Sequence, residues 1–107
     1  MNAESVTPDP TSDLDPEEAM AELERLRDRI LAVDAALIQT LAERQELVMQ
    51  IGRAKAALGL PVLDPSREAQ VVRRVVAHAR TVGLEEETIR DVMWRIIASA
   101  RNAQGER

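Results

Sequence analysis

Arg44 and Lys55 interrupt a run of apolar residues that would otherwise form an unbroken helical stripe. From Met20 to Leu58 the residues Leu23, Leu26, Ile30, Val33, Leu37, Leu41, Val48, Ile51 and Leu58 recur at spacings of three, four and seven. Such spacing is one face of a single long α-helix. The two basic residues fill the two gaps of seven, and at ~100° per residue both fall within about 20° of the stripe's centre. An unpaired cation is costly to bury, so something anionic should meet them in the folded state. The candidates are a carboxylate from Glu43, Glu46 or Glu68, or a bound ligand; snorkelling to the helix edge is the remaining outlet. Their Cα atoms lie ~16 Å apart along the axis, and both side chains are long enough to lean toward one small anion. The chemistry on offer is therefore the clasping of a small anionic molecule.

Other residues can join them. Asp64, Arg67 and Glu68 open a second helix. Asp64 serves as its N-cap, and Glu68 suits the helix dipole. Arg67 in the first turn opposes the dipole unless it is solvated or an anion sits there. Arg27 lies roughly 85° from the stripe's centre, with Glu24 three residues back as a possible ion partner. It is also ~25 Å along the helix from Arg44. It can join the same small-molecule site only from a second, antiparallel copy of the chain. Gln104 follows Ile97 by seven and Ala100 by four, which puts it on the same helix face or in a frayed end. His78, the single histidine, reads as a surface residue and Trp94 as a packing residue. No zinc ligand set, nucleophile–base pair, phosphate-cradling glycine loop or dinucleotide motif is present, so neither metal nor cofactor is expected.

Three helices must position these groups. Asp15-Pro16-Glu17-Glu18 is a helix start, with Asp at the N-cap and Pro at N1. The first helix then runs to about Leu58, where Gly59 and Pro61 stop it, a length of roughly 40 residues or ~60 Å. Asp64-Pro65 starts the second helix, whose apolar face is Val71, Val72, Val75, Val76 and Ala79, and Gly83 ends it. A third begins near Glu85–Glu87 and carries Ile89, Val92, Met93, Ile96, Ile97 and Ala100, fraying after Gln104. The fold class is all-α, with one long and two shorter helices. The shorter pair cannot cover the whole stripe. The remainder marks a partner surface, most simply a two-fold homodimer with antiparallel long helices.

Composition narrows the function classes. The chain has 107 residues, 45% hydrophobic and 31% charged, with one Trp and no Phe, Tyr or Cys. A net charge of −5 argues against nucleic acid and anionic membranes as partners. Residues 1–24 hold eight Asp and Glu and no Lys or Arg. Residues 1–15 read as a disordered acidic tail, and residues 16–107 as the helical domain. No secretory signal or membrane span is evident, so a cytoplasmic location is expected.

The ordered set of motifs resembles the all-α class of chorismate mutase. The matching stretches are Leu26-Arg27-Asp28-Arg29-Ile30 followed by Asp34, then Leu41-Ala42-Glu43-Arg44 and Ile51-Gly52-Arg53-Ala54-Lys55. They continue with Pro61-Val62-Leu63-Asp64-Pro65-Ser66-Arg67-Glu68 and with Gly83-Leu84 leading to Ile96-Ile97. The resemblance covers roughly residues 20–104. It implies an intertwined homodimer with two sites, each taking Arg27 from the partner subunit. Arg44 and that Arg27 would hold the two carboxylates of chorismate, and Lys55 a carboxylate and the ether oxygen. Gln104 would donate to the same ether oxygen. Glu68, with backbone near Asp64, would take the substrate hydroxyl; Arg67 would support the anionic end, and Ile51 and Ile97 would wall the pocket. Lys55, Gln104 and Arg44 would thus be the catalytic residues. One departure stands out: the family often carries a hydroxyl side chain at the position of Ala100.

Chorismate to prephenate is a pericyclic rearrangement, in which one C–O bond breaks as one C–C bond forms. It needs no nucleophile, metal or proton transfer, only a held conformation and donors at the oxygen that gains charge. Such an isomerase would serve the shikimate pathway and aromatic amino acid biosynthesis. An isochorismate-pyruvate lyase or a 4-amino-4-deoxychorismate mutase on the same scaffold is an open alternative. So is a non-catalytic helical dimer that binds a protein, although that gives no reason for cations on the stripe.

Overall fold

A computed structural model describes residues 13–105, all of whose regular structure is helical: α1 (Pro16–Ala57), α2 (Pro65–Thr81) and α3 (Glu86–Gly105). Most of the expected acidic tail, residues 1–12, lies outside the described residues. Asp15 caps α1, as its place before Pro16 predicts: its carboxylate accepts the Glu18 N–H at 2.8 Å. This satisfies one of the donors that a helix start leaves open.

The ends of the helices follow from local chemistry. α1 stops in a Schellman turn. Leu60 N–H donates to the Lys55 carbonyl at 2.8 Å and Gly59 N–H to that of Ala56 at 3.1 Å, with Gly59 at φ 69°. α2 ends the same way, through Leu84 N–H to Ala79 (3.0 Å), Gly83 N–H to Arg80 (3.4 Å) and Gly83 at φ 79°. Both glycines occupy the left-handed region that a side chain disfavours. Asp64 caps α2 by accepting Arg67 N–H at 3.1 Å, with Pro65 at N1. Glu85 caps α3, its carboxylate accepting Glu87 N–H at 2.8 Å and Thr88 N–H at 3.1 Å. These bonds, with that of the Thr88 hydroxyl the largest, hold the Glu85 carboxyl below its ordinary value.

The chain divides into two compact units, with the boundary inside α1 between Thr40 and Leu41. In the second unit α2 and α3 pair as a hairpin around Val72, Val76, Met93 and Ile97, flanked by Val71, Val75, Ile89 and Ile96. Ala79 and Ala100 are also buried. At the turn Arg80 grips Glu86 with two bonds, Nε to Oε2 at 3.0 Å and Nη2 to Oε1 at 2.9 Å. Val92, in the apolar series of α3, lies outside this core and remains 44% exposed. The described part of the first unit is essentially one amphipathic helix segment whose stripe is exposed: Leu26 is 44% exposed, Ile30 61% and Val33 60%. Among the described residues no helix is long and apolar enough to cross a membrane.

Candidate active site

A cavity of about 230 Å³ opens within the second unit, lined from three directions. The C-terminal part of α1 supplies Arg44, Val48, Ile51 and Lys55, spaced at four, three and four. The α1–α2 connection and the first turns of α2 supply Val62, Asp64, Arg67, Glu68 and Val71. The last turns of α3 supply Ile97, Ala100, Arg101 and Gln104. Both helical sets follow the spacing that stacks side chains on one face. The caps therefore matter to the site: the Schellman turn at Gly59 and the Asp64 cap fix how the chain re-enters α2.

Every sequence-assigned site residue except Arg27 lines this cavity. Arg27 belongs to the first unit, where it is exposed. Glu24, the ion partner its spacing offered, does not bind it among the described residues.

Arg44 and Lys55 are half-buried rather than sealed in a core, and no charged residue is fully buried among the described residues. The expectation of deep burial is corrected accordingly. The stripe at their level borders an open cavity, so their heads retain contact with solvent. The expectation that Glu43, Glu46 or Glu68 could neutralise them is also decided. Glu46 lies 3.9 Å from Arg53, Glu68 pairs with Arg101, and among the described residues no carboxylate pairs with Arg44 or Lys55. Lys55 instead donates from Nζ to the carbonyl of Val62, another residue of the cavity lining, at 3.3 Å.

Arg67 is exposed and donates from Nη1 to Gln70 Oε1 at 2.8 Å. A neutral oxygen thus takes the place of the anion that its position in the first turn invites. Gln104 is half-buried, not frayed, and its Nε2 donates to the Val48 carbonyl at 3.0 Å. That bond ties the end of α3 to α1 across 56 residues of sequence. Ala100, 6% exposed, faces the cavity without a hydroxyl. Ser99 does not line the cavity; it lines an adjoining groove with Leu41, Gln45, Val92, Arg95 and Ile96, which shares Arg44 and Ala100 with the cavity.

Sequence reasoning passed over Arg101. It sits four residues after Ile97 and three before Gln104, so the register that located Gln104 points to it as well. Its ion pair with Glu68 joins residues 33 apart in sequence, which no local pattern announces. The walls Val48, Val62 and Val71 were likewise not assigned.

Four cations (Arg44, Lys55, Arg67, Arg101) and two carboxylates (Asp64, Glu68) line the cavity, a net charge of +2. Apolar walls at Ile51 and Ile97 complete it. Such a site suits a small dianion with an apolar body. Among the described residues no group of His, Asp or Glu is arranged to hold a metal ion.

Residues 26–105 match the model of the family described as chorismate mutase type II. The T-protein of Enterobacter agglomerans is 36% identical over 88 residues, covering 82% of this chain and 24% of that protein. A 4-amino-4-deoxychorismate mutase of Streptomyces venezuelae is 37% identical over 65 residues, 61% of this chain and 63% of that one. The solved structure of a chorismate mutase (form II) from Thermus thermophilus superposes with a TM-score of 0.71 at 30% identity. It matches 78% of this chain and 94% of its own. The chain spans about a quarter of the length of the T-protein it matches.

Proposed function

The chain belongs to the chorismate mutase type II family, and from that premise we propose that it is an isomerase converting chorismate to prephenate for phenylalanine and tyrosine biosynthesis. The observation that carries this reading is the pair Arg44 and Lys55, turned to one cavity with no carboxylate partner among the described residues. Chorismate brings two carboxylates and an apolar ring, which answers both the charge and the walls.

The mechanism needs only binding and electrostatics. Arg44 holds one carboxylate and Lys55 bridges a carboxylate and the ether oxygen. Together they keep the enolpyruvyl side chain folded over the ring, the geometry from which the new C–C bond forms. As the C–O bond lengthens, negative charge grows on the ether oxygen. The ammonium of Lys55 and the amide of Gln104 meet it there, and such fixed donors stabilise the transition state more than the substrate. Gln104 reaches that position by exchanging its bond to the Val48 carbonyl for one to the substrate. Glu68 and the backbone near Asp64 receive the ring hydroxyl, Arg67 supports the anionic end, and Ile51 and Ile97 flank the ring.

The second carboxylate falls to Arg27 from the partner of an intertwined homodimer with antiparallel long helices. The outward stripe of the first unit supports this, because Leu26, Ile30 and Val33 present a continuous apolar surface of the kind that marks a partner. The proposed location is the cytoplasm.

The test is the loss of chorismate absorbance in purified protein, with the product identified. Formation of prephenate is the expected result. Turnover of isochorismate or 4-amino-4-deoxychorismate in its place would assign the scaffold to a neighbouring reaction. An intact dimer with no turnover would make it a binding module. The Streptomyces relative gives the amino substrate a specific claim, and charge in the cavity bears on it.

A further inference from the structure

We propose that Arg101 is a specificity-determining residue of this cavity: by occupying Glu68 it makes the site take a hydroxyl-bearing dianion and refuse the same ring carrying an ammonium group. The inference rests on the reading of the cavity as a chorismate site and assigns its preference at the ring substituent.

An ammonium group on a ligand needs a carboxylate with charge to spare. The cavity has two carboxylates, and both are engaged. Asp64 is committed to the α2 cap, accepting Arg67 N–H at 3.1 Å. Glu68 is held by the Arg101 guanidinium, and the two side chains are 20% and 46% exposed respectively. The pair is partly withdrawn from water, and screening reduces its field without removing it. A ligand ammonium approaching Glu68 meets Arg101 beside it, and like charges at that range repel. A hydroxyl approaching the same carboxylate donates a hydrogen bond to a free lone pair, because an ionised carboxylate offers about four such sites. It brings no charge of its own.

The charge of the whole cavity points the same way. Its lining residues sum to +2. With Arg27 of the partner subunit the proposed site reaches +3; a dicarboxylate with a hydroxyl leaves one positive charge of it uncompensated, whereas the ammonium analogue, net −1, leaves two. Arg101 supplies one of the four cations of the lining. Without it the lining carries +1, and Glu68 has a free charge to offer an ammonium.

The experiment compares chorismate with 4-amino-4-deoxychorismate on the full chain. It takes the ratio of kcat/KM where both are turned over and the ratio of Kd by calorimetry where one is not. Wild type is expected to favour chorismate. Arg101→Leu shifts the ratio toward the amino compound by about tenfold, the scale of one partly screened charge. Arg101→Gln, neutral but able to hydrogen-bond Glu68, shifts it in the same direction and serves if the leucine variant fails to fold. Arg101→Lys, which keeps the charge, stays near wild type. A wild type that uses chorismate while both neutral variants keep its ratio overturns the role of Arg101 and leaves the proposed function standing. A wild type that neither binds nor converts chorismate overturns both.

Discussion

The two halves of α1 carry the same apolar register and meet different fates. After Leu41 the stripe has neighbours in its own chain: Leu41 and Val48 are half-buried, Gly52 is buried, and the two cations border a cavity closed by α2 and α3. Before Thr40 every apolar residue of the stripe stays exposed, from Leu23 at 39% to Ile30 at 61%. Identical periodicity therefore accompanies partial burial around a cavity in one half, where Ile51 still keeps 53% exposure, and an exposed surface in the other. A helical stripe says that a face is sticky; what covers it depends on elements that the stripe itself does not encode.

The contrast can be broken most forcefully at the cavity. Arg44→Ala or Lys55→Ala should lower kcat/KM on chorismate by at least about 100-fold, on the scale of a lost oxyanion donor. Folding should survive, because removing a half-buried cation empties no apolar core. Steady-state kinetics with a thermal melt on the same sample checks both statements. Near-normal activity in either variant contradicts the site. The outer half is tested by mixing two inactive proteins, Arg27→Ala and Lys55→Ala. Random exchange of subunits should return about a quarter of wild-type activity, since a hybrid dimer puts both lesions in one site and leaves the other whole. No recovery despite proven exchange excludes Arg27 as a shared residue.

Stability should divide along the same boundary. Met93→Ala, in the α2–α3 core at 8% exposure, should cost about 2–5 kcal/mol in chemical denaturation. Ile30→Ser should leave the melting of a dilute monomer almost unchanged and should weaken self-association in sedimentation, because its side chain meets only solvent or a second copy. The smallest effect is electrostatic. The Arg80 guanidinium holds the Glu86 carboxyl below its ordinary value of 4.5. A depressed carboxylate stabilises the fold above the unfolded value, and the benefit disappears as the pH falls through the folded one. Wild type should therefore melt slightly above Glu86→Gln at pH 7, and the two curves should converge on acidification well below 4.5.

Much of this molecule could be read from neighbouring residues. Asp15-Pro16, Asp64-Pro65, Gly59 and Gly83 set the helix ends because capping and left-handed turns are decided within five or six positions. The faces of α2 and α3 emerged from their periodicity, as did the placing of Arg44 and Lys55 on the stripe of α1; Ile51 as a pocket wall came from the family resemblance. What escaped was long-range. The partner of Glu68 is 33 residues away, and the acceptor for Gln104 is a backbone carbonyl 56 residues away. Neither leaves a trace in local spacing. Val92 fits the apolar register of α3 and yet stays 44% exposed, on a groove shared with Leu41 and Ile96 rather than in the hairpin core. The half-burial of Arg44 and Lys55 has a similar cause: the face they occupy borders a cavity rather than close-packed side chains.

The central claim is that these two cations close on one small dianion, and a crystal structure with a cyclic dicarboxylate inhibitor bound tests it most directly. The Arg44 guanidinium and the Lys55 ammonium should each lie at about 2.7–3.2 Å from ligand oxygens, with Gln104 released from the Val48 carbonyl. A ligand seated elsewhere, with both heads turned to bulk water, would contradict the account.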